Sequence, residues 1–163
     1  MGQVTHEQAD LILRLYDLRR EPRLREARAW FLANFDARTP EEVGQKYPHG
    51  SEGSTNMRMV ISYWEMAAGL ANRGLIDDDL FFENAGEGFL VYDRIRVLLP
   101  GVRAAYQNPH AWAQLEAFGK RMEAWQEKRA PGHVAAMRQM VSRTRQAAAK
   151  ALRIGERGAI ERS

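Results

Sequence analysis

Apolar residues recur along this chain at steps of three and four, the spacing that lines one face of a helix. Leu11, Ile12, Leu15 and Leu18 form the first such stripe, with Thr5 ahead of it as a cap and Gln8 closing a capping box. Pro22 suits the first turn of a second helix, which would bury Leu24, Ala27, Phe31 and Phe35. Thr39-Pro40-Glu41-Glu42 is a further capping box, with proline at the first helical position, and opens a short third helix. Residues 47–56, YPHGSEGSTN, read as a loop. A long helix is then predicted from about Asn56 to Arg73. Its polar or small positions are Arg58, Ser62, Glu65, Gly69 and Asn72, and almost everything between them is apolar. A helix apolar on most sides is surrounded by other helices, so this one is expected at the centre.

The stretch GLIDDDLF, Gly74 to Phe81, reads as a corner between two helices. Gly74 suits a left-handed stop, with Leu75 positioned to meet Leu70. Asp77 is a favoured N-cap, Asp78 and Asp79 complement the positive end of the next helix, and Ile76 and Phe81 hold the staple positions. A calcium loop needs oxygens at alternating positions, and Leu80, Phe81 and Phe82 bring none from their side chains. The aspartates therefore read as a helix start rather than a metal cluster. After Gly86-Glu87-Gly88, a helix carrying Phe89, Tyr92, Ile95 and Leu99 is expected to stop near Pro100-Gly101. Asn108 and Pro109 open the next, with Trp112, Leu115, Phe118, Met122 and Trp125 on one face. Beyond a break at Pro131-Gly132 lies a last helix rich in alanine and arginine, with a weak stripe of Val134, Met137, Val141, Ala148 and Ala151. No segment reads as a strand, and no repeat of solenoid length is present. The expected fold is all-α: a single-domain bundle of about seven or eight helices over residues 1–130, then a basic helix over 131–163 docked on the bundle or on a twin chain.

Charge adds one asymmetry to this picture. Residues 128–163 hold nine Lys/Arg against two acids, whereas residues 1–127 hold fifteen against nineteen, so a mildly acidic body precedes a basic tail. Attraction between tail and body accounts for that as well as an external anionic partner does. The chain has no cysteine, which removes disulfides, thiolate nucleophiles and cysteine zinc sites. MGQVTHEQAD lacks the apolar core of a signal peptide, and the most apolar stretch, Met59 to Ala71, is too short to span a bilayer. A cytoplasmic protein without a membrane span is expected.

Candidate chemistry is sparse. His6, His49, His110 and His133 are dispersed without metal-ligand spacing, and neither a metal nor a cofactor is expected. Residues 49–56, HGSEGSTN, lack the Gly-Lys-Ser/Thr ending of a phosphate loop, and Glu52 would repel phosphate. Glu65 stands out because it lies mid-helix in apolar surroundings. It reads as a buried carboxylate with a raised pKa lining a pocket, as half of an ion pair with Arg94 or Arg96, or as part of a stripe facing water. A small ligand would be sought near Glu65, Tyr63 and Arg94. The arginines at 19, 20, 23, 25 and 28 are interleaved with Asp17, Glu21 and Glu26, which suggests mutual salt bridges or a solvated surface. In the tail, Arg138, Arg145 and Lys150 are the candidate contacts for an anionic partner, but no aromatic residue accompanies them for base stacking. Nucleic acid is the weaker expectation there.

The block from Asn56 to about Arg103 resembles a bacterial family of small all-helical proteins grouped as a domain of unknown function. The resemblance rests on YWEMAAGLANRGLIDDDLFFE, an aromatic–Glu helix running into a Gly-Leu-Ile-Asp turn, and on FLVYDRIRVLL. ADLILRLYDLRREPRLREARAWFL fits the upstream helix, so the likeness spans roughly Gln8 to Arg103 and leaves the tail outside. It implies a helical fold and no assigned activity, cofactor or catalytic residue. Taken with the missing catalytic constellation, it points to a non-enzymatic interaction or scaffolding module, with self-association into a homodimer through apolar helix faces. The alternatives are a small-molecule enzyme or sensor using Glu65, and weak electrostatic binding of nucleic acid by the basic tail.

Overall fold

Side-chain oxygens fix where helices begin. In the computed structural model, which describes residues 4–160, five caps each accept the backbone N–H three residues on. These are Thr5 from Gln8, Glu21 from Leu24, Thr39 from Glu42, Ser51 from Ser54 and Asp77 from Leu80, at 2.8–3.3 Å. The helices are α1 (His6–Arg20), α2 (Pro22–Asn34), α3 (Pro40–Lys46), α4 (Glu52–Asn72), α5 (Asp78–Asn84), α6 (Gly86–Ile95), α7 (Leu99–Ala105), α8 (Ala113–Arg129) and α9 (His133–Ile160). Among the described residues there is no strand, and the fold is all-α as the periodicity predicts. Contacts gather the chain into two compact units, the first ending at Met122 and the second starting at Glu123, inside α8.

Several local expectations hold in detail. The α4 stop is a Schellman turn: Gly74 has φ +73°, its N–H donates to Ala71 O, and Leu75 N–H donates to Leu70 O. Asp77 caps α5, with Asp78 and Asp79 in its first turn and Ile76 and Phe81 buried on either side. The α2 residues Leu24, Ala27, Phe31 and, just beyond its end, Phe35 are all buried.

Four expectations are corrected. The helix expected from Asn56 begins at Glu52, because Ser51 caps it and Gly53 belongs to its first turn. A Cβ on Gly53 would stand 2.9 Å from both the Trp30 and Tyr47 rings, so glycine serves close packing there rather than loop flexibility. Pro100-Gly101 does not end a helix; Pro100 sits in the first turn of α7, where a missing N–H costs nothing. That split raises the count to nine helices among the described residues. The Asn108-Pro109 start also fails. Asn108 Oδ1 accepts the His110 N–H at 3.0 Å within a turn, Trp112 takes a left-handed φ of 54°, and α8 begins only at Ala113. Finally, the α1 stripe buries only Leu15, and Leu18 is 52% exposed.

The first unit is built on the pairing of α2 with α4. Phe31 and Phe35 stack with centroids 4.6 Å apart, and Val60, Ile61, Trp64, Ala67, Ala68 and Ala71 of α4 are buried. This makes α4 the central helix the pattern predicts. Phe81 and Phe82 of α5 meet Phe118 of α8, and Phe89, Val91 and Ile95 of α6 complete the core. In the second unit, the Glu127 carboxylate accepts the N–H groups of Gly132 and Val134 at 2.8 and 3.0 Å, closing the turn into α9. These two bonds hold the Glu127 carboxyl below the usual carboxylate range. Arg138 binds Glu123 through two hydrogen bonds, and Arg129 lies over the Trp125 ring.

Candidate functional site

The residues singled out around Glu65 go to three separate places. The N-cap position of α8 is Trp112, whose side chain offers no acceptor, so the first amides of the helix are open to an acceptor from elsewhere. Glu65 supplies one from α4: Oε1 accepts the Gln114 N–H at 3.0 Å and Oε2 the Leu115 N–H at 2.8 Å. These are the second and third amides of α8, the ones an N-cap side chain normally serves, and the negative charge also meets the positive end of the helix dipole. Arg94 turns to α2, donating to the Phe31 carbonyl at 2.6 Å and lying over the Phe31 ring. Tyr63 donates its hydroxyl to the Leu15 carbonyl at 2.7 Å, and burial pushes its phenol pKa up. Glu65→Ala is expected to lower the stability of the first unit by about 1–2 kcal/mol. Glu65→Gln should lose less than half of that, because its amide oxygen still accepts one N–H. Chemical denaturation of the two variants checks this.

Tyr63 does line a cavity. A partly open groove of about 230 Å³ lies between α1, α4 and α5, walled by Ile12, Leu15, Trp64, Ala67, Phe81 and Ala85. Leu13, 61% exposed, and Tyr16, 45% exposed, stand at its edge. Arg19 and Asn84 complete the lining. The Arg19 guanidinium lies 5.1 Å from the Tyr16 centroid and 5.7 Å from that of Trp64, and donates to the Asn84 carbonyl at 3.2 Å. Arg20 lies over the same Tyr16 ring at 5.5 Å.

An ionic layer supports the Trp64 side of the groove. Trp64 Nε1 donates to Glu87 Oε1 at 3.3 Å, and Glu87 is held by Arg28 through bonds of 2.6 and 2.5 Å. The same arginine donates to the Arg19 carbonyl at 2.7 Å. Its charge is stabilised by the Glu87 carboxylate, which raises its pKa further. The cluster of arginines around the first helix break is thus divided. Arg28 pairs across the fold with α6, Arg19 goes to the groove, and the neighbouring acid Glu21 caps α2.

Elsewhere in this unit Arg121 binds Asp78 and donates to Asn72 Oδ1, and Glu116 joins Arg103 and Lys120. Hydrogen bonds from Lys120 and then Arg103 hold the Glu116 carboxyl below its ordinary value of 4.5. A carboxylate depressed in the folded state stabilises the fold fully above its unfolded pKa and loses that contribution as pH falls through the folded one. The melting temperature is therefore expected to fall as pH drops below 4.5, with Glu116→Gln giving a shallower fall and a lower melting temperature at neutral pH. Melts of both proteins across that range check the sign. Among the described residues, no group of three or more His, Cys, Asp or Glu side chains is placed to hold a metal ion. Nor is any described helix long and apolar enough to cross a membrane. In the tail, Arg138 is engaged by Glu123 and Arg145 is half-buried and also in contact, while Lys150 is exposed.

Of the three residues predicted to share a site, only Tyr63 lines the groove. Leu13, Tyr16, Arg19 and Trp64 were not foreseen there. For the three on α1 the signal in the sequence is a second line, Leu13, Tyr16 and Arg19 at steps of three, running beside the main apolar stripe.

Fold and site together define an all-helical domain with an apolar groove edged by arginine. Residues 4–122 match the family described as Domain of unknown function (DUF4760), and the chain belongs to that family. The match ends where the first compact unit ends, at Met122, so the family domain and that unit coincide. No curated protein and no solved structure matches the chain.

Proposed function

We propose that this chain is a non-enzymatic interaction module that holds its partner in the α1–α4–α5 groove. The observation that carries the reading is the groove itself: a concave, apolar surface with Leu13 and Tyr16 left exposed at its edge. Four carboxylates of the first unit add support, since Glu65, Glu87, Glu116 and Asp78 serve helix capping and ion pairs. The rival role for Glu65 as an acid or base asks it to leave the two α8 amides it caps.

The test uses a neutral apolar probe, octan-1-ol, titrated into the full-length chain while the methyl resonances of Ala67 and Ala85 are followed. Both methyls belong to buried groove-lining residues. Saturable shifts at these two, weakened by Leu13→Asp at the edge, are expected. Shifts spread over the whole protein, or none at all, overturn the reading.

A further inference from the structure

We propose that the occupant of the groove is a single-chain amphiphilic anion, a free medium-chain carboxylate whose tail lies against the wall and whose head meets Arg19. The inference rests on the groove reading above and adds the chemistry of its ligand.

The wall offers ring and methyl surface but few polar groups. Ala67, Phe81 and Ala85 present apolar atoms, while the polar atoms of the two aromatic wall residues are already engaged, Tyr63 with the Leu15 carbonyl and Trp64 with Glu87. A ligand seated there gains from burying apolar area and finds little to hydrogen-bond in the wall. An apolar cavity of about 150 Å³ is enough to take up benzene. One of about 230 Å³ therefore suits a single short chain, and is small for a two-chain lipid or a peptide helix.

The edge supplies the opposite character. Arg19 has no carboxylate partner among the described residues. A guanidinium has five N–H donors, and Arg19 uses one on the Asn84 carbonyl. Its stacking on Tyr16 and Trp64 holds the plane in place, so the ordering cost of meeting a carboxylate is largely met beforehand. Glu87, the carboxylate behind Trp64, is engaged by its two bonds to Arg28. Arg20, over the same Tyr16 ring, adds a second cation. An apolar groove with a guanidinium held over two rings in its lining is complementary to a fatty-acid-like monocarboxylate.

Octanoate and octan-1-ol, which share a chain length and differ in the head, are titrated separately into the full-length protein at neutral pH, with the Ala67 and Ala85 methyls as readout. Octanoate is expected to bind about tenfold more tightly than the alcohol, the value of one partly solvated charge-assisted contact. Arg19→Gln should abolish the difference between the two, with octanoate and the alcohol binding equally in that variant, and Arg19→Lys should restore part of the difference. Alcohol binding as tight as octanoate in the unaltered protein overturns the anion assignment while the groove reading stands. Failure of both compounds to shift either methyl overturns both. The comparison in the unaltered protein needs no variant, so loss of folding in an Arg19 substitution leaves the test intact.

Discussion

Gly119→Ala is expected to destabilise the first unit by about 3 kcal/mol, although alanine is the better helix former by about 1 kcal/mol. Gly119 lies in α8 with its backbone pressed against the Tyr92 ring of α6. A Cβ there would overlap the ring, nearest Cγ and the two Cδ atoms. Those atoms are the base of the side chain, so the ring has little room to swing away, and Tyr92 is itself buried. Relief requires α8 and α6 to move apart, and the burial of Leu115 and Phe118 depends on α8 staying in place. Gly88→Ala should behave in the same way, since its added methyl would approach the Trp64 ring to 2.5 Å. Gly44→Ala is the control: its Cβ meets nothing within 4 Å on an exposed helix, and alanine there should stabilise by about 0.5–1 kcal/mol. Urea denaturation of the three variants separates packing from propensity. If Gly119→Ala is as stable as the parent, the close approach of the two helices is not what holds them.

Glu87→Ala is expected to be comparably damaging, by about 3 kcal/mol. Glu87 and Arg28 are mostly buried, with side chains 15% and 18% exposed. Removing the carboxylate leaves a guanidinium in low dielectric with its Nε and one Nη unpaired, and Trp64 Nε1 loses its acceptor as well. Most of the loss is therefore the cost of the orphaned charge rather than the worth of the bond. A double variant, Glu87→Leu with Arg28→Met, keeps the volume and removes both charges, and should recover more than half of the stability. If the double variant is no better than Glu87→Ala alone, the orphaned charge is not the cause. Trp64 lines the groove and receives its orientation partly from Glu87, so the single variant should also weaken octan-1-ol binding at temperatures where it remains folded.

Local chemistry determined much of this molecule directly from the order of its residues. Thr5, Thr39 and Asp77 cap helices because a short oxygen-bearing side chain reaches the N–H three residues on whatever surrounds it. Gly74 ends α4 because the left-handed turn needs no distant partner. The apolar run between Met59 and Ala71 made α4 central, and the membership of residues 4–122 in the family agrees with the resemblance carried by the same block. Local pattern misleads where a helix end is served from far along the chain. Asn108-Pro109 has the local form of a helix start, yet α8 begins at Ala113, where Glu65 of α4 caps it across 49 residues of sequence.

The tertiary structure alone decided the roles of the charged residues. A carboxylate in an apolar helix has one appearance in sequence whether it binds a ligand, an arginine or a helix end, and only packing brought Glu65 to the α8 amides. Arg19 and Arg28 are likewise alike in sequence. One was carried to Glu87 of α6 and the other to the edge of a groove, because their positions on α1 and α2 face different neighbours. The groove itself could not be read from periodicity. A cavity is a place where three helices do not quite meet, and that depends on crossing and side-chain volume rather than on any one helix's pattern.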